Sequence, residues 1–240
     1  MTDLYLIRHG EMNPIKDFMR DDGLSPLGRL QAERLRDRLA ATHEIKADVL
    51  ITSTFPRALQ TAEIIAPALD LVPLPDDDIQ EMRSGEAYGL PVEEFREKYQ
   101  EVDYEENPFR ALAPGAESWA QFMLRVGTAL DRITREHAGK TIVLVCHGGV
   151  VDGSFLYFFR MSSLSVPPVY EHTRNTSITH WRQITSERRG RYWRLLKYND
   201  VFHLHDIGTS ARIPWANLSA RPASDDDRPA VPLETEEEKP

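Results

Sequence analysis

Cysteine occurs once in the 240 residues, as Cys146. That excludes an intrachain disulfide and a Cys-rich zinc site. Long apolar runs are missing too, since none approaches the roughly twenty residues that a membrane-spanning helix needs. The opening residues lack the basic-then-apolar build of a secretory signal, because "DLYLI" runs directly into Arg8. Positive charge is also short. The net charge is −9, and residues 224–240 hold seven acids and two bases, a charge of −5 that leaves −4 for the rest. A near-neutral body without a basic run argues against nucleic-acid binding. The expectation is a soluble, cytoplasmic protein that binds neither nucleic acid nor membrane. Composition leaves its oligomeric state open, a dimer included.

What is present suits one globular domain, with 41% hydrophobic residues. "DLYLI", "DVLITS" (48–53) and "TIVLVC" (141–146) are short apolar runs and read as buried strands. Ser25-Pro26 reads as an N-cap with proline at the first helical position, opening a helix to about Ala41. A second helix is expected from about Pro56 to Ala66. Residues 70–115 carry five prolines and read as an irregular excursion with a short helix near 91–100. Trp119, Phe122, Met123, Val126, Leu130 and Ile133 then fall at helical spacing, and Gly139 ends the pattern. Another helix should run to about Phe159. Residues 176–184 and 191–198 look like a hairpin around "SERRG". From Gly208 onward, proline, serine, alanine and acids predict a disordered tail. The fold class is therefore α/β: a three-layer sandwich with a mostly parallel central sheet flanked by helices, plus a cap-like excursion at 82–115. The domain is expected over 1–207, with the tail at 208–240.

In such sheets ligands sit beyond the carboxyl ends of the strands. Arg8-His9, Ser53 with nearby Arg57, and His147 all follow strand ends. Two arginines and two histidines at one rim suggest an anion site, because a guanidinium fork matches phosphate oxygens. A neutral imidazole can attack phosphorus. Gly10, Gly148 and Gly149 would let backbone N–H groups approach a phosphate. Glu11, Glu81 and Glu86 are competing proton-handling carboxylates. A zinc reading of His9, His147 and Glu81 would set Arg8 and Arg57 against the cation, so no metal and no cofactor is expected. Cys146 reads as a small buried hydrophobe.

"LIRHGE", "STFPRALQTA", "IQEMRSGE", "PGAESW" and "VLVCHGGVV", in this order, resemble the histidine phosphatase superfamily on its phosphoglycerate-mutase-like branch. The resemblance covers roughly residues 3–205. It implies His9 as nucleophile, Glu81 as proton donor, and Arg8, Arg57, His147 and Gly148 around the phosphate, with His147 protonated. It also implies a small phosphorylated metabolite as substrate and no metal. Met12 and Ile15 stand where most relatives carry Thr or Ser and then Asn. Glu81-Met82-Arg83-Ser84 replaces the Glu-Arg-His-Tyr of true mutases, so the sequence favours hydrolysis over phosphoryl transfer to a second hydroxyl. A mutase-type phosphotransferase and an inactive phospho-ligand-binding relative are the alternatives. Arg110, Arg160 and Arg174, within a lid expected from 82–115 and 160–175, are candidates to meet an anionic substrate.

Overall fold

The computed structural model describes residues 1–14, 17, 20–99, 102–162, 164–167, 172–188 and 190–207. The expected tail at 208–240 lies outside them. The elements are β1 (Thr2–Arg8), α1 (Pro26–Thr42), β2 (Val49–Ser53), α2 (Pro56–Leu69), β3 (Leu74–Asp76), α3 (Val92–Lys98), α4 (Trp119–Glu136), β4 (Thr141–Cys146), α5 (Gly148–Phe159), β5 (Ile178–Ser186) and β6 (Gly190–Asp200). The strands form one sheet in the order β3-β2-β4-β1-β5-β6. Strands β1 to β4 are parallel, while β5 runs antiparallel to both neighbours.

Alternation along the strands builds the two cores. Leu4 and Leu6 of β1 face one side, with Ile142, Leu144 and Cys146 of β4, and meet α4 and α5. Tyr5, Ile7, Val143 and Val145 face the other side and meet α1 and α2 through Leu35, Leu39, Ala58, Ala62 and Ile65. Burying each such aliphatic side chain contributes roughly 1.5–3 kcal/mol. The α/β sandwich expected from the sequence is thus present. Among the described residues no helix is long and apolar enough to cross a membrane.

Three local readings are corrected. β3 was not expected; Pro73 and Pro75 hide a three-residue strand that pairs only at the sheet edge, where proline is tolerated. α2 runs past Ala66 to Leu69 and carries Pro67 within its last turn. The hairpin begins at Ile178, because Thr176 takes a positive φ of 52° instead of an extended one. Between these elements, residues 82–115 leave the sheet and gather a small cluster of Ala87, Phe95 and Ala113.

Register decides where the site lies. Arg8 pairs with Cys146, and Thr52 with Val145, so β1, β2 and β4 end level with one another. His9 and His147, which follow β1 and β4, and Ser53, which ends β2, therefore share one rim.

Candidate active site

His9 continues the strand pairing through its own N–H, which donates to the Cys146 carbonyl at 2.9 Å. Asn175 Nδ2 donates to the His9 carbonyl at 2.9 Å, and the Thr176 N–H donates to the Arg8 carbonyl at 2.9 Å. The His9 backbone is thus held from two sides. Its ring nitrogens have distinct roles. Nδ1 lies 2.6 Å from the Gly10 carbonyl, which only accepts, so Nδ1 carries the proton. Nε2 accepts from Arg57 Nε at 3.0 Å, so its one lone pair is engaged by the guanidinium. Burial, then Arg57 and Arg8, push the His9 pKa well below the usual histidine value, so the ring is neutral.

Arg57 is buried in the first turn of α2. Its Nη1 meets Asp21 Oδ2 at 2.8 Å, and the Asp21 side chain is only 1% exposed. The same carboxylate accepts the Arg57 N–H at 3.3 Å and, through Oδ1, the Gly23 N–H at 2.9 Å. Arg8 is buried too and donates from Nη1 to the Thr173 carbonyl, while its Nε is buried with no partner among the described residues. Burial lowers its pKa from the ordinary arginine value.

The His147 ring lies 5.1 Å from that of His9, centroid to centroid. Its Nε2 meets Ser53 Oγ at 2.7 Å, and its Nδ1 is buried without a partner among the described residues. Burial, followed by Arg57, His9 and Arg8, pushes its pKa well below the usual range. In the unliganded site His147 is therefore neutral. Gly148, expected at the phosphate, is the buried first residue of α5, whose N-terminal N–H groups favour an anion. Gly10 is corrected as a phosphate contact. Its N–H donates to Thr61 Oγ1 at 3.0 Å, and its missing side chain leaves room for the Gly28 carbonyl of α1.

Glu81 is buried and follows a 3-10 turn at Asp77–Ile79. Its Oε2 accepts the Gly149 N–H and its Oε1 the Met82 N–H, each at 3.1 Å. The rival carboxylates lie elsewhere. Glu86 is exposed on the next 3-10 turn. Glu11 accepts from Ser25 Oγ at 2.8 Å and braces the loop against α1. Arg83 donates to Gln80 and to the Asp77 carbonyl, and Arg110, Arg160 and Arg174 are exposed.

Sequence reasoning thus put Arg8, His9, Arg57 and His147 at one rim and reached Glu81 through the resemblance. It missed Asp21, Asn175, Thr61 and the Arg125–Glu117 pair behind Glu81. An acid in the short loop beside two arginines was the available signal for Asp21. Among the described residues no group of three or more His, Cys, Asp or Glu is placed to hold a metal ion.

Comparison with known proteins identifies the family. The model of the histidine phosphatase superfamily (branch 1) matches residues 4–201. Phosphoglycerate mutase-like protein 4 of Arabidopsis thaliana is 32% identical over 86% of this chain and 89% of its own. Phosphoserine phosphatase 1 of Hydrogenobacter thermophilus is 35% identical over 61% of this chain and 71% of its own. Among solved structures, phosphoserine phosphatase from Entamoeba histolytica, in complex with 3-phosphoglyceric acid, superposes with a TM-score of 0.64 at 26% identity. It covers 85% of this chain and 100% of that one.

Proposed function

The chain belongs to the histidine phosphatase superfamily, and we propose that it hydrolyses small phosphorylated metabolites in the cytoplasm through a phosphohistidine at His9, without a metal. The observation that carries the reading is the state of His9: neutral, with Nδ1–H on the Gly10 carbonyl and Nε2 unprotonated between buried arginines. Arriving phosphate oxygens take over the Arg57 Nε–H, and this frees the Nε2 lone pair. Nε2 then attacks phosphorus, a P–N bond forms, and the P–O bond to the leaving group breaks. Glu81 supplies the proton that the leaving oxygen takes. Water next attacks phosphorus and gives its proton to the Glu81 carboxylate. The P–N bond breaks, releasing phosphate and restoring His9. Arg8, Arg57, the His147 imidazole and the Gly148 N–H neutralise charge on the equatorial oxygens.

Mutase chemistry is the second reading, favoured by the likeness to a phosphoglycerate mutase-like protein. It would keep the phosphoryl group and pass it to a second hydroxyl. Turnover with 2- and 3-phosphoglycerate separates the two, since hydrolysis yields free phosphate and mutase chemistry yields the isomer. The main experiment is a quench during turnover of a labelled phosphomonoester. We expect a phosphoryl group on His9 that is lost in acid and stable in alkali, absent from His9→Ala. Turnover should persist in chelator. An acid-stable, alkali-labile adduct would exclude the phosphohistidine.

A further inference from the structure

Helix α5 has no side-chain cap of its own, because His147 makes no capping bond. The Gly149 N–H in its first turn is taken instead by Glu81, across 68 residues of sequence. That seat exists only because residue 149 has no side chain. A Cβ there would overlap Glu81 Oε1 and lie 2.7 and 2.8 Å from Phe122 Cε1 and Cζ. Phe122 is 2% exposed in the core, with the Arg125 guanidinium 5.2 Å over its ring. Close-packed as it is, the ring has little room to yield, so the carboxylate is the group that would move.

The backbone behind Glu81 is held from α4. Arg125 Nη1 donates to the carbonyls of Asp78 at 2.9 Å and Gln80 at 3.0 Å, and Nη2 donates to the Glu81 carbonyl at 3.3 Å. Glu117 fixes the same guanidinium with two bonds of 2.6 Å. A planar guanidinium spanning three carbonyls leaves the segment little freedom.

We propose that Gly149 and Arg125 are positioning residues for the general acid: the glycine provides an N–H and a vacant side-chain site for the Glu81 carboxylate, and the arginine pins its backbone. The inference rests on the assignment of Glu81 as proton donor. The competing view is that Glu81 merely caps α5.

Leaving-group dependence separates these views, because an alkoxide needs a proton as it departs and p-nitrophenolate does not. Glu81→Gln, Gly149→Ala, Arg125→Lys and the Glu81→Gln/Gly149→Ala double variant are assayed on glycerol phosphate and p-nitrophenyl phosphate, with thermal melts to establish folding. Misplacing the acid by a fraction of an ångström should cost Gly149→Ala on the order of ten- to a hundredfold in kcat on glycerol phosphate. The loss on p-nitrophenyl phosphate should be clearly smaller. The double variant should be no slower than Glu81→Gln, because the glycine acts through the acid. Equal losses on both substrates, or losses that add to those of Glu81→Gln, overturn the inference. Arg125→Lys carries the same test if Gly149→Ala does not fold. If Glu81→Gln itself loses equally on both substrates, the acid assignment falls and takes this inference with it.

Discussion

At the scale of single residues, the site is a set of neutral bases held between buried cations. Among the described residues Asp21 is the one carboxylate bonded to Arg57, and at 1% side-chain exposure it meets that charge away from solvent. Asp21→Asn leaves the Arg57 guanidinium without its counter-charge and removes an acceptor from its Nη1. Breaking a buried pair of this kind should cost about 3–5 kcal/mol, read from urea unfolding. Because Arg57 also contacts His9 Nε2, kcat/KM on p-nitrophenyl phosphate should fall on the order of tenfold or more. A folded variant with unchanged kcat/KM would show that Arg57 needs no help in facing the phosphate.

At the scale of elements, each helix that serves the site starts there. α1 opens on Ser25, whose Oγ accepts the Gly28 N–H at 3.0 Å and donates to Glu11, so the cap of the helix also braces the loop after His9. α4 opens on a capping box: Ser118 Oγ accepts the Gln121 N–H, and Gln121 Oε1 accepts the Ser118 N–H. Glu117, the partner of Arg125, directly precedes that cap. Ser118→Ala should lower stability by about 1 kcal/mol, measured by chemical denaturation. It should also loosen Glu117, so the loss on alkyl phosphates should exceed that on p-nitrophenyl phosphate. No change in stability would mean that the box is redundant with the packing of α4. The apolar stripe of α4 from Trp119 to Ile133 was legible in the sequence. The part that α4 plays in holding Glu81 was not, because Arg125 reads in sequence as one more helical surface charge.

For the whole molecule, the notable quantity is buried imidazole. Burial lowers the pKa of His9, His147 and His180, and brings that of His203 to about 4. His203 is tied to the site, because its Nε2 lies 3.0 Å from Thr176 Oγ1, beside the backbone of Arg8 and His9. These groups titrate near 6.5 when unfolded. Below that pH the unfolded chain binds more protons than the fold. Stability is therefore complete above about pH 6.5 and is lost as pH falls from there toward the folded values. The melting temperature should be level from pH 7 to 8 and should drop steadily from pH 6.5 to 4. A level profile from pH 7 to 5 would mean that these rings are not held neutral. Asp200, whose pKa is lowered chiefly by its bond to Arg38, adds to the loss at the acid end.

The strands β1, β2 and β4 were legible because a central parallel strand is buried on both faces and must be apolar throughout. The groups at or just after their ends, Arg8-His9, Ser53 and His147, were legible as a rim because parallel strands place their carboxyl ends on one side. β3 was not, since three residues flanked and interrupted by proline carry no periodicity, and only β2 makes them a strand. The sequence by itself thus determined the fold class and the chemical character of the site. Only the tertiary structure decided which partner each group has: Asp21 for Arg57, Ser53 for His147, the α5 amide for Glu81. Local periodicity reaches a few residues along the chain. These pairs span 36, 94 and 68 residues, and they form because packing the helices on the sheet brings these buried polar groups within bonding distance.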